Sequence, residues 1–182
     1  MPRNILKIFI IGTKNVGFQQ LIDYEMSDGF VFDTSHISGV DLATKMVQVN
    51  EKTWMLQCWI VDLDKIFGRF QDLYSKYLVG THGAILIANL GDLNSLKTIR
   101  EWIFLIRENR KNIPILIVGD RPKLKQNRQI SEQEGVQFAK EHGLAGYMEI
   151  ASYSEFNTSI MFERITSLIL EHQNNLQSQG SF

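Results

Sequence analysis

The segment from Ile5 to Gln19 constrains the fold more than any other part of this sequence. Residues 5–11 are almost all apolar, which is typical of a strand covered on both faces of a parallel sheet. Gly12 and Gly17 follow with the spacing of the phosphate-binding loop G-x-x-x-x-G-K-[ST], in which backbone N–H groups and a helix N-terminus hold phosphate groups. We therefore predict a strand, a glycine-bounded loop and a helix, in that order.

The side chains that act on phosphate in such a loop are missing. The motif requires a lysine, which reaches the phosphate oxygens, and then a serine or threonine, whose hydroxyl ligates magnesium. Phe18 and Gln19 stand at these two positions. Phenylalanine cannot donate a hydrogen bond to a phosphate, and glutamine has no hydroxyl. Lys14 lies inside the loop and could donate to a phosphate from a different position, although a solvated loop lysine is the simpler interpretation.

The rest of the chain alternates between apolar strands and amphipathic helices. Strands that recur with a helix about every 30 residues predict a doubly wound α/β domain. We expect a mostly parallel six-stranded sheet with one antiparallel edge strand, and helices on both faces. The predicted strands are 5–11, 43–49, 54–61, 83–89, 113–118 and 146–150, and the predicted helices are 18–26, 67–78, 95–110, 131–142 and 156–172. Residues 27–41 are predicted to form a loop, and residues 50–52 the turn of a hairpin.

Composition limits the possible functions. We predict one domain over residues 1–174 and a disordered polar tail from 175 to 182. The net charge of −1 gives no support for nucleic-acid binding. The single cysteine, Cys58, excludes an internal disulfide, lies in an apolar run typical of a buried position, and fits a cytoplasmic protein. No apolar run approaches the roughly 18 residues of a membrane span, and the polar tail lacks a cysteine for prenylation, so we expect no lipid anchor.

Further segments, in order along the chain, resemble parts of one protein family. They are residues 37–42, 56–59, 69–70 with Tyr77, 80–87, 92–102, 114–119 and 149–157. Together they resemble the switch regions, strands and nucleotide loops of the Ras-superfamily small GTPases, closest to the Rab-like branch, from about Asn4 to His172. The resemblance implies the small G-protein fold, GTP and magnesium as ligands, protein partners and a role in membrane traffic.

The positions that this family uses for magnesium and water depart from its motifs. The switch I threonine that closes over magnesium falls on Ile37. Asp62 lies two residues late for the switch II aspartate. Leu63 and Asp64 occupy the region where the family places the glutamine that orients the attacking water. The resemblance therefore implies a metal site and a water site without their usual side chains.

The guanine-binding positions depart as well. The N-K-x-D motif falls on Asp120, Arg121, Pro122 and Lys123, and the final S-A-K motif falls on Ala151, Ser152 and Tyr153. The aspartate that accepts hydrogen bonds from guanine is thus a lysine, which has no acceptor. We refer to these segments as the remnant guanine loops, and to Gly12, Thr13, Lys14, Asn15, Val16, Gly17, Phe18 and Gln19 as the remnant phosphate loop.

These losses together predict a pseudo-GTPase, a catalytically inactive protein-interaction or regulatory scaffold with no catalytic residue, cofactor or metal. Phosphoryl transfer depends on positioning and electrostatic stabilisation, and the groups that supply both are replaced. One alternative is an atypical GTPase that still binds GTP or GDP with magnesium through non-standard contacts. Another is that Asp120, Lys123 and Tyr153 line a pocket for a different small ligand.

A partner surface follows from the same resemblance. In Rab-like proteins three hydrophobic residues at the switch boundary form a partner-binding patch, and the matching residues are Leu42, Trp59 and Tyr77, which we call the switch surface. An aromatic residue on a strand is more often part of the core, so both interpretations remain open. The four histidines are scattered and suggest no metal site. The basic residues in 107–111 are expected to complement a helix dipole.

Overall fold

The computed structural model describes residues 4–13, 16, 31–33, 40–62, 71–123, 125–151 and 158–179. Within these residues the strands are β1 Ile5–Gly12, β2 Val31–Asp33, β3 Val40–Val49, β4 Lys52–Asp62, β5 Gly83–Asn89, β6 Ile115–Asp120 and β7 Gly146–Ile150. The helices are α1 Gln71–Tyr77, α2 Asn94–Asn109, α3 Glu132–Glu141 and α4 Thr158–Gln179, with a single 3₁₀ turn at Lys125–Asn127. From β4 onward, the described elements alternate as the apolar runs predict. The predicted helix 18–26 lies outside the described residues, as do residues 67–70 and 156–157 of two other predicted helices.

The described strands form one sheet in the order β2-β3-β4-β1-β5-β6-β7. β1 pairs in parallel with both β4 and β5, and β5, β6 and β7 continue in parallel. β3 is antiparallel to β4. The six predicted strands and the small G-protein fold are thus confirmed, with β3 as the antiparallel strand.

The segment that we predicted as a loop contains the short strand β2. Val31 pairs with Thr44, and Asp33 pairs with Leu42, so β2 lies outside β3 and β3 is the second strand from the edge. Three residues are too few to show an alternating pattern, and the hydrogen bonds come from a distant strand. The loop prediction for residues 27–41 is wrong at β2 and at the start of β3.

The β3–β4 hairpin turns over two residues. Asn50 and Glu51 have φ values of 52° and 60°. Positive φ at both central residues is the type I′ geometry, which matches the twist of the flanking strands. Lys52, which we predicted in the turn, instead pairs with Val49 in the sheet.

The core has two layers, one on each face of the sheet. Alternate residues of β1 belong to different layers, because successive side chains of a strand point to opposite faces. Ile8 and Ile10 join the layer under α4, and Phe9 and Ile11 join the layer under α1, α2 and α3. Cys58 is buried in the α4 layer, as its apolar surroundings predict.

The helix ends are mostly where polar signals predict them. Ser131 and Glu134 form a capping box at the start of α3, with the Ser131 hydroxyl accepting from the Glu134 N–H and the Glu134 carboxylate accepting from the Ser131 N–H. α4 runs to Gln179, so residues 175–179, which we predicted as tail, are helical. Among the described helices, none combines the length and the apolar character needed to cross a membrane.

The topology defines where a ligand would bind. The parallel strands end at one edge of the sheet, which we call the carboxyl edge, and begin at the opposite one, the amino edge. From β1 the chain builds β2 to β4 on one side, and β5 to β7 follow on the other. Doubly wound sheets bind ligands outside the carboxyl ends of the strands at such a reversal. Gly12 and Asn89, at the ends of β1 and β5, mark this position.

Candidate functional site at the carboxyl edge

Thr13 begins the remnant phosphate loop directly after β1. Its N–H donates to the carbonyl of Ile87 at 2.9 Å, and its Oγ1 lies 2.6 Å from Ser95 Oγ of α2. The backbone N–H of Asn89 donates to both hydroxyls, at 2.7 Å to Ser95 and 3.2 Å to Thr13. We call Thr13, Ser95 and Asn89 the hydroxyl cluster. It ties the loop to the end of β5 and to the start of α2 by groups that satisfy one another inside the protein.

The rest of the remnant phosphate loop is described only at Val16. The Val16 N–H donates to the Thr13 carbonyl at 3.3 Å, and its side chain packs against the core layer under α4. This hydrogen bond holds Val16 close to the end of β1. The predicted site residues Lys14, Asn15, Gly17, Phe18 and Gln19 lie outside the described residues.

The remnant guanine loops reach the same edge of the sheet. Asp120 ends β6 and is buried, and its carbonyl accepts from the N–H of Leu90 at 3.0 Å. Arg121 donates from its backbone N–H and from Nε to the carbonyl of Ile150, at 3.0 and 3.3 Å. Lys123 is exposed and Ala151 is buried. Ser152 and Tyr153 lie outside the described residues. The structure thus brings the described parts of both remnants to one edge, as the topology requires.

Comparison with known proteins agrees with this geometry. The model of the Ras family matches residues 7–171, a region that contains both remnant loops. The chain belongs to the Ras family. It is 29% identical to the Ras-related protein Rab-11A of Dictyostelium discoideum over 166 residues, which are 91% of this chain and 76% of the relative. It is 28% identical to the Ras-related protein RABA6a of Arabidopsis thaliana (92% and 72% of the two chains) and 26% identical to the Ras-related protein Rab2BV of Beta vulgaris (97% and 86%).

The structure of this Ras-family chain brings the residues of the switch surface together. Leu42 and Trp59 face each other directly on β3 and β4, and the Trp59 ring lies 5.4 Å from the Tyr77 ring between centroids. All three side chains are half-buried. The ammonium of Lys7 lies 4.0 Å from the centre of the Trp59 ring. The three residues therefore form one continuous, partly exposed apolar surface.

An ion-paired network supports the last strand near the carboxyl edge. Arg128 binds Glu149 through two hydrogen bonds of 2.5 and 3.0 Å, and the Tyr147 hydroxyl donates to the same carboxylate at 2.6 Å. Burial opposes ionisation of Glu149, but the bonds from Arg128 and Tyr147 prevail and lower its pKa. Burial and the bond to the carboxylate raise the pKa of Tyr147. A charged, bidentate pair of this kind is among the stronger hydrogen bonds in proteins.

The same network fixes the position of α3. A Cβ atom at Gly135 would lie 2.3 Å from the Tyr147 ring, so only glycine allows the helix to approach this closely. Sequence reasoning missed the network because Arg128 and Glu149 are 21 positions apart and no motif links them. The one available signal was the glycine in the middle of an amphipathic helix, which often marks a close packing contact.

Two of the four histidines lie at the amino edge. His82 precedes β5, His172 lies in α4, and both line one cavity there. Among the described residues no group of His, Cys, Asp and Glu is arranged to hold a metal ion. No sequence pattern predicts this cavity, because its described lining residues come from segments far apart in the chain.

Proposed function

We propose that this Ras-family protein is a pseudo-GTPase that acts as a protein-interaction or regulatory scaffold, in the context of membrane traffic. The observation that carries the proposal is the joint replacement of three groups: Phe18 stands for the phosphate lysine, Gln19 for the magnesium hydroxyl, and Lys123 for the guanine carboxylate. Each replacement removes a different kind of interaction with nucleotide.

The three losses reinforce one another energetically. Without the lysine, and with Ile37 at the switch I threonine, the phosphate charge lacks its usual protein and metal partners. Without the carboxylate, the guanine N–H groups lose their acceptor, and each buried donor left unpaired costs about 1–3 kcal/mol. A single loss could be compensated by a neighbouring group. Simultaneous loss of charge, metal and base recognition leaves little binding energy for GTP.

The switch surface supplies the second half of the proposal. Aromatic residues are enriched in protein interfaces, and residues that carry most of the binding energy are often Trp and Tyr. Trp59 and Tyr77 are held in contact yet remain partly accessible. We expect a protein partner to cover this surface. The involvement in membrane traffic rests on the relatives, which are named as Rab proteins.

The rival function is an atypical GTPase that holds GTP or GDP through other contacts. The glycine spacing of the remnant phosphate loop and the match to the Ras family over residues 7–171 favour it. The two functions differ in a thermal melt. A ligand at 100 times its dissociation constant stabilises the folded state by about 2.7 kcal/mol, which a melt detects easily.

The test compares the natural chain with a repaired variant that carries Phe18→Lys, Gln19→Ser, Ile37→Thr and Lys123→Asp. We expect no change in melting temperature of the natural chain with GTP and magnesium, and an increase for the repaired variant, which serves as the positive control. An increase for the natural chain with GTP would support the atypical GTPase instead. An increase with ATP but not GTP would support a pocket for a different ligand.

A further inference from the structure

A cavity of about 350 Å³ lies at the amino edge, between the end of α2, the start of β5 and the second half of α4. Its described lining includes the cationic or titratable residues His82, Arg110, Lys111 and His172. The apolar residues Ile113, Ile169 and Leu176 and three side-chain amides complete the described lining. Among these described lining residues there is no aspartate or glutamate. The cavity therefore combines basic and apolar side chains.

Arg110 has a donor that the protein does not use. Its Nη2 donates to the carbonyl of Thr81 at 2.9 Å, but its Nε is buried without a hydrogen-bond partner. The hydroxyl of the fully buried Thr81 is also without a partner. Buried polar groups are nearly always paired, so each unpaired one requires an explanation. In the described part of the chain the one further unpaired buried side-chain atom is Trp54 Nε1, so two of the three belong to adjacent groups here.

Stabilisation of the α2 end does not explain Arg110, because Arg107 already provides it. Arg107 donates to the carbonyls of Lys111 and Ile113 at 2.9 and 2.7 Å, and to Gly143 at 3.3 Å. The guanidinium of Arg107 thus donates to three backbone acceptors just beyond the helix end. That the basic residues in 107–111 complement the helix dipole remains a prediction.

Among the described residues, Arg110 lies near other basic groups. Burial and the Arg110 charge both lower the pKa of Lys7 and of His82. Among the described residues no carboxylate pairs with Arg110. The Nδ1 of His82 accepts from the N–H of Lys7 at 3.0 Å, so neutral His82 carries its proton on Nε2 as a further donor. Positive charge and hydrogen-bond donors thus lie together here, and the acceptors that the described residues supply are neutral.

We propose that this cavity binds a small amphiphilic oxyanion, a carboxylate or phosphate monoester with a short alkyl group. The anionic head lies on Arg110, whose planar guanidinium matches an oxyanion, and the alkyl group lies against Ile113, Ile169 and Leu176. The volume lies within the lower range of small-molecule sites. The site is separated from the remnant nucleotide loops by the length of β5, so it operates whether or not the carboxyl edge binds nucleotide.

The test is an NMR titration of the full chain with hexyl phosphate, hexanoate and inorganic phosphate. The side-chain Nε–Hε resonance of Arg110 reports on the unpaired donor directly. We expect a saturable shift with hexyl phosphate or hexanoate at millimolar concentration or below. Inorganic phosphate should bind at least about tenfold more weakly, the factor expected from burying two methylene groups. Absence of a saturable shift up to about 10 mM of both alkyl anions, or equal binding of inorganic phosphate, would overturn the proposal.

Four variants separate a built site from general charge attraction. Arg110→Met should abolish binding, and Arg110→Lys, which keeps the charge without the planar fork, should weaken it. Arg164→Gln removes one charge from an exposed position on α4 that does not line the cavity, and should bind as the natural chain does. Leu176→Ser should weaken hexyl phosphate binding and leave inorganic phosphate unchanged.

The variants keep the test decisive even if one fails to fold. Leu176 is 51% exposed, so its replacement is tolerated and carries the test if Arg110→Met does not fold. Equal loss of binding in Arg164→Gln and Arg110→Met, with no loss in Arg110→Lys, would show attraction by net charge alone and contradict the site. Unchanged binding in Leu176→Ser would contradict the placement of the alkyl group.

Discussion

The two edges of the sheet differ in whether their buried polar groups have hydrogen-bond partners. At the carboxyl edge, where Ras-family proteins bind nucleotide, the hydroxyls of Thr13 and Ser95 and the N–H of Asn89 bond to one another. At the amino edge, Arg110 Nε and Thr81 Oγ1 are buried without partners. The described hydroxyl cluster at the carboxyl edge is thus internally paired, while the amino edge holds two buried polar groups without partners.

This difference shows that the place where a fold usually binds a ligand need not be the place where the side chains favour binding. Topology sets the carboxyl edge as a ligand site, because loops diverge there on either side of β1 and β5. Side chains decide whether that edge still attracts a ligand. Self-satisfied hydroxyls stabilise a fold, whereas a buried, unpaired guanidinium N–H is stabilised by an incoming acceptor. Function follows the fold only where the side chains that perform it remain.

The largest effect is expected from breaking the hydroxyl cluster. Ser95→Ala removes the 2.7 Å bond to the Asn89 N–H and leaves Thr13 Oγ1 without its closest partner. We expect the free energy of unfolding to fall by about 2 kcal/mol, measured by urea denaturation. Thr13→Val is the matched variant, and the double variant should lose less than the sum because the two hydroxyls act as a unit. Strict additivity would show that the two hydroxyls act independently.

A somewhat smaller effect is expected at the ion pair near the same edge. Glu149→Gln weakens the bidentate bonds to Arg128 and should cost about 1–2 kcal/mol at neutral pH. The folded-state pKa of Glu149 is lowered, so its stabilisation is present above the unfolded pKa and is lost as pH falls through the folded one. The stability curves of the natural chain and the variant should therefore converge in acid. A constant difference down to pH 2 would mean that the charge of Glu149 does not matter.

A third effect on the free energy of unfolding, below about 1 kcal/mol, comes from the titration of His82 at the amino edge. Its pKa is lowered in the folded protein, by burial first and then by Arg110. The corresponding stability is present above the unfolded pKa of about 6.5 and is lost as pH falls toward the folded value. We expect Arg110→Met to raise the pKa of His82, followed by imidazole resonances in NMR, and to flatten the loss of stability between neutral and mildly acidic pH. If the pKa of His82 is unchanged in this variant, Arg110 does not contribute to lowering it.

The smallest effect is expected on the outer face of β3, beyond the switch surface. Met46 is 58% exposed, so Met46→Ser should change stability by less than about 0.5 kcal/mol. Val47, the next residue, is buried in the other direction, and Val47→Ala should cost at least about 1 kcal/mol in the same denaturation assay. Equal costs would mean that both faces of β3 are covered and that this face is core.

Long apolar runs made most of the fold predictable. β5 and β7 have the predicted bounds, and β5 is a short buried run between polar turns. The end of α4 was missed because residues 174–178 are polar except Leu176 and carry no periodic signal. The predicted end of a helix depends on such periodicity, whereas the backbone hydrogen bonds of an existing helix can extend it beyond the last apolar turn.

Side-chain partnerships were less predictable than the fold. The resemblance located the described members of the remnant loops and the switch surface, because motifs fix positions along a common topology. It did not reveal the hydroxyl cluster, since Thr13 and Ser95 are 82 positions apart and meet only when β1 and β5 pair. The hydrogen bond from Arg110 to the Thr81 carbonyl was not predictable for the same reason, because the two residues meet only in the folded chain.

The nucleotide content of the purified, denatured protein tests the central claim most directly. Chromatography of the released small molecules requires no partner, variant or assay of activity. The pseudo-GTPase account predicts that no guanine nucleotide is released above the level of a nucleotide-free control protein. Release of GDP or GTP in stoichiometric amount would contradict it and establish the atypical GTPase.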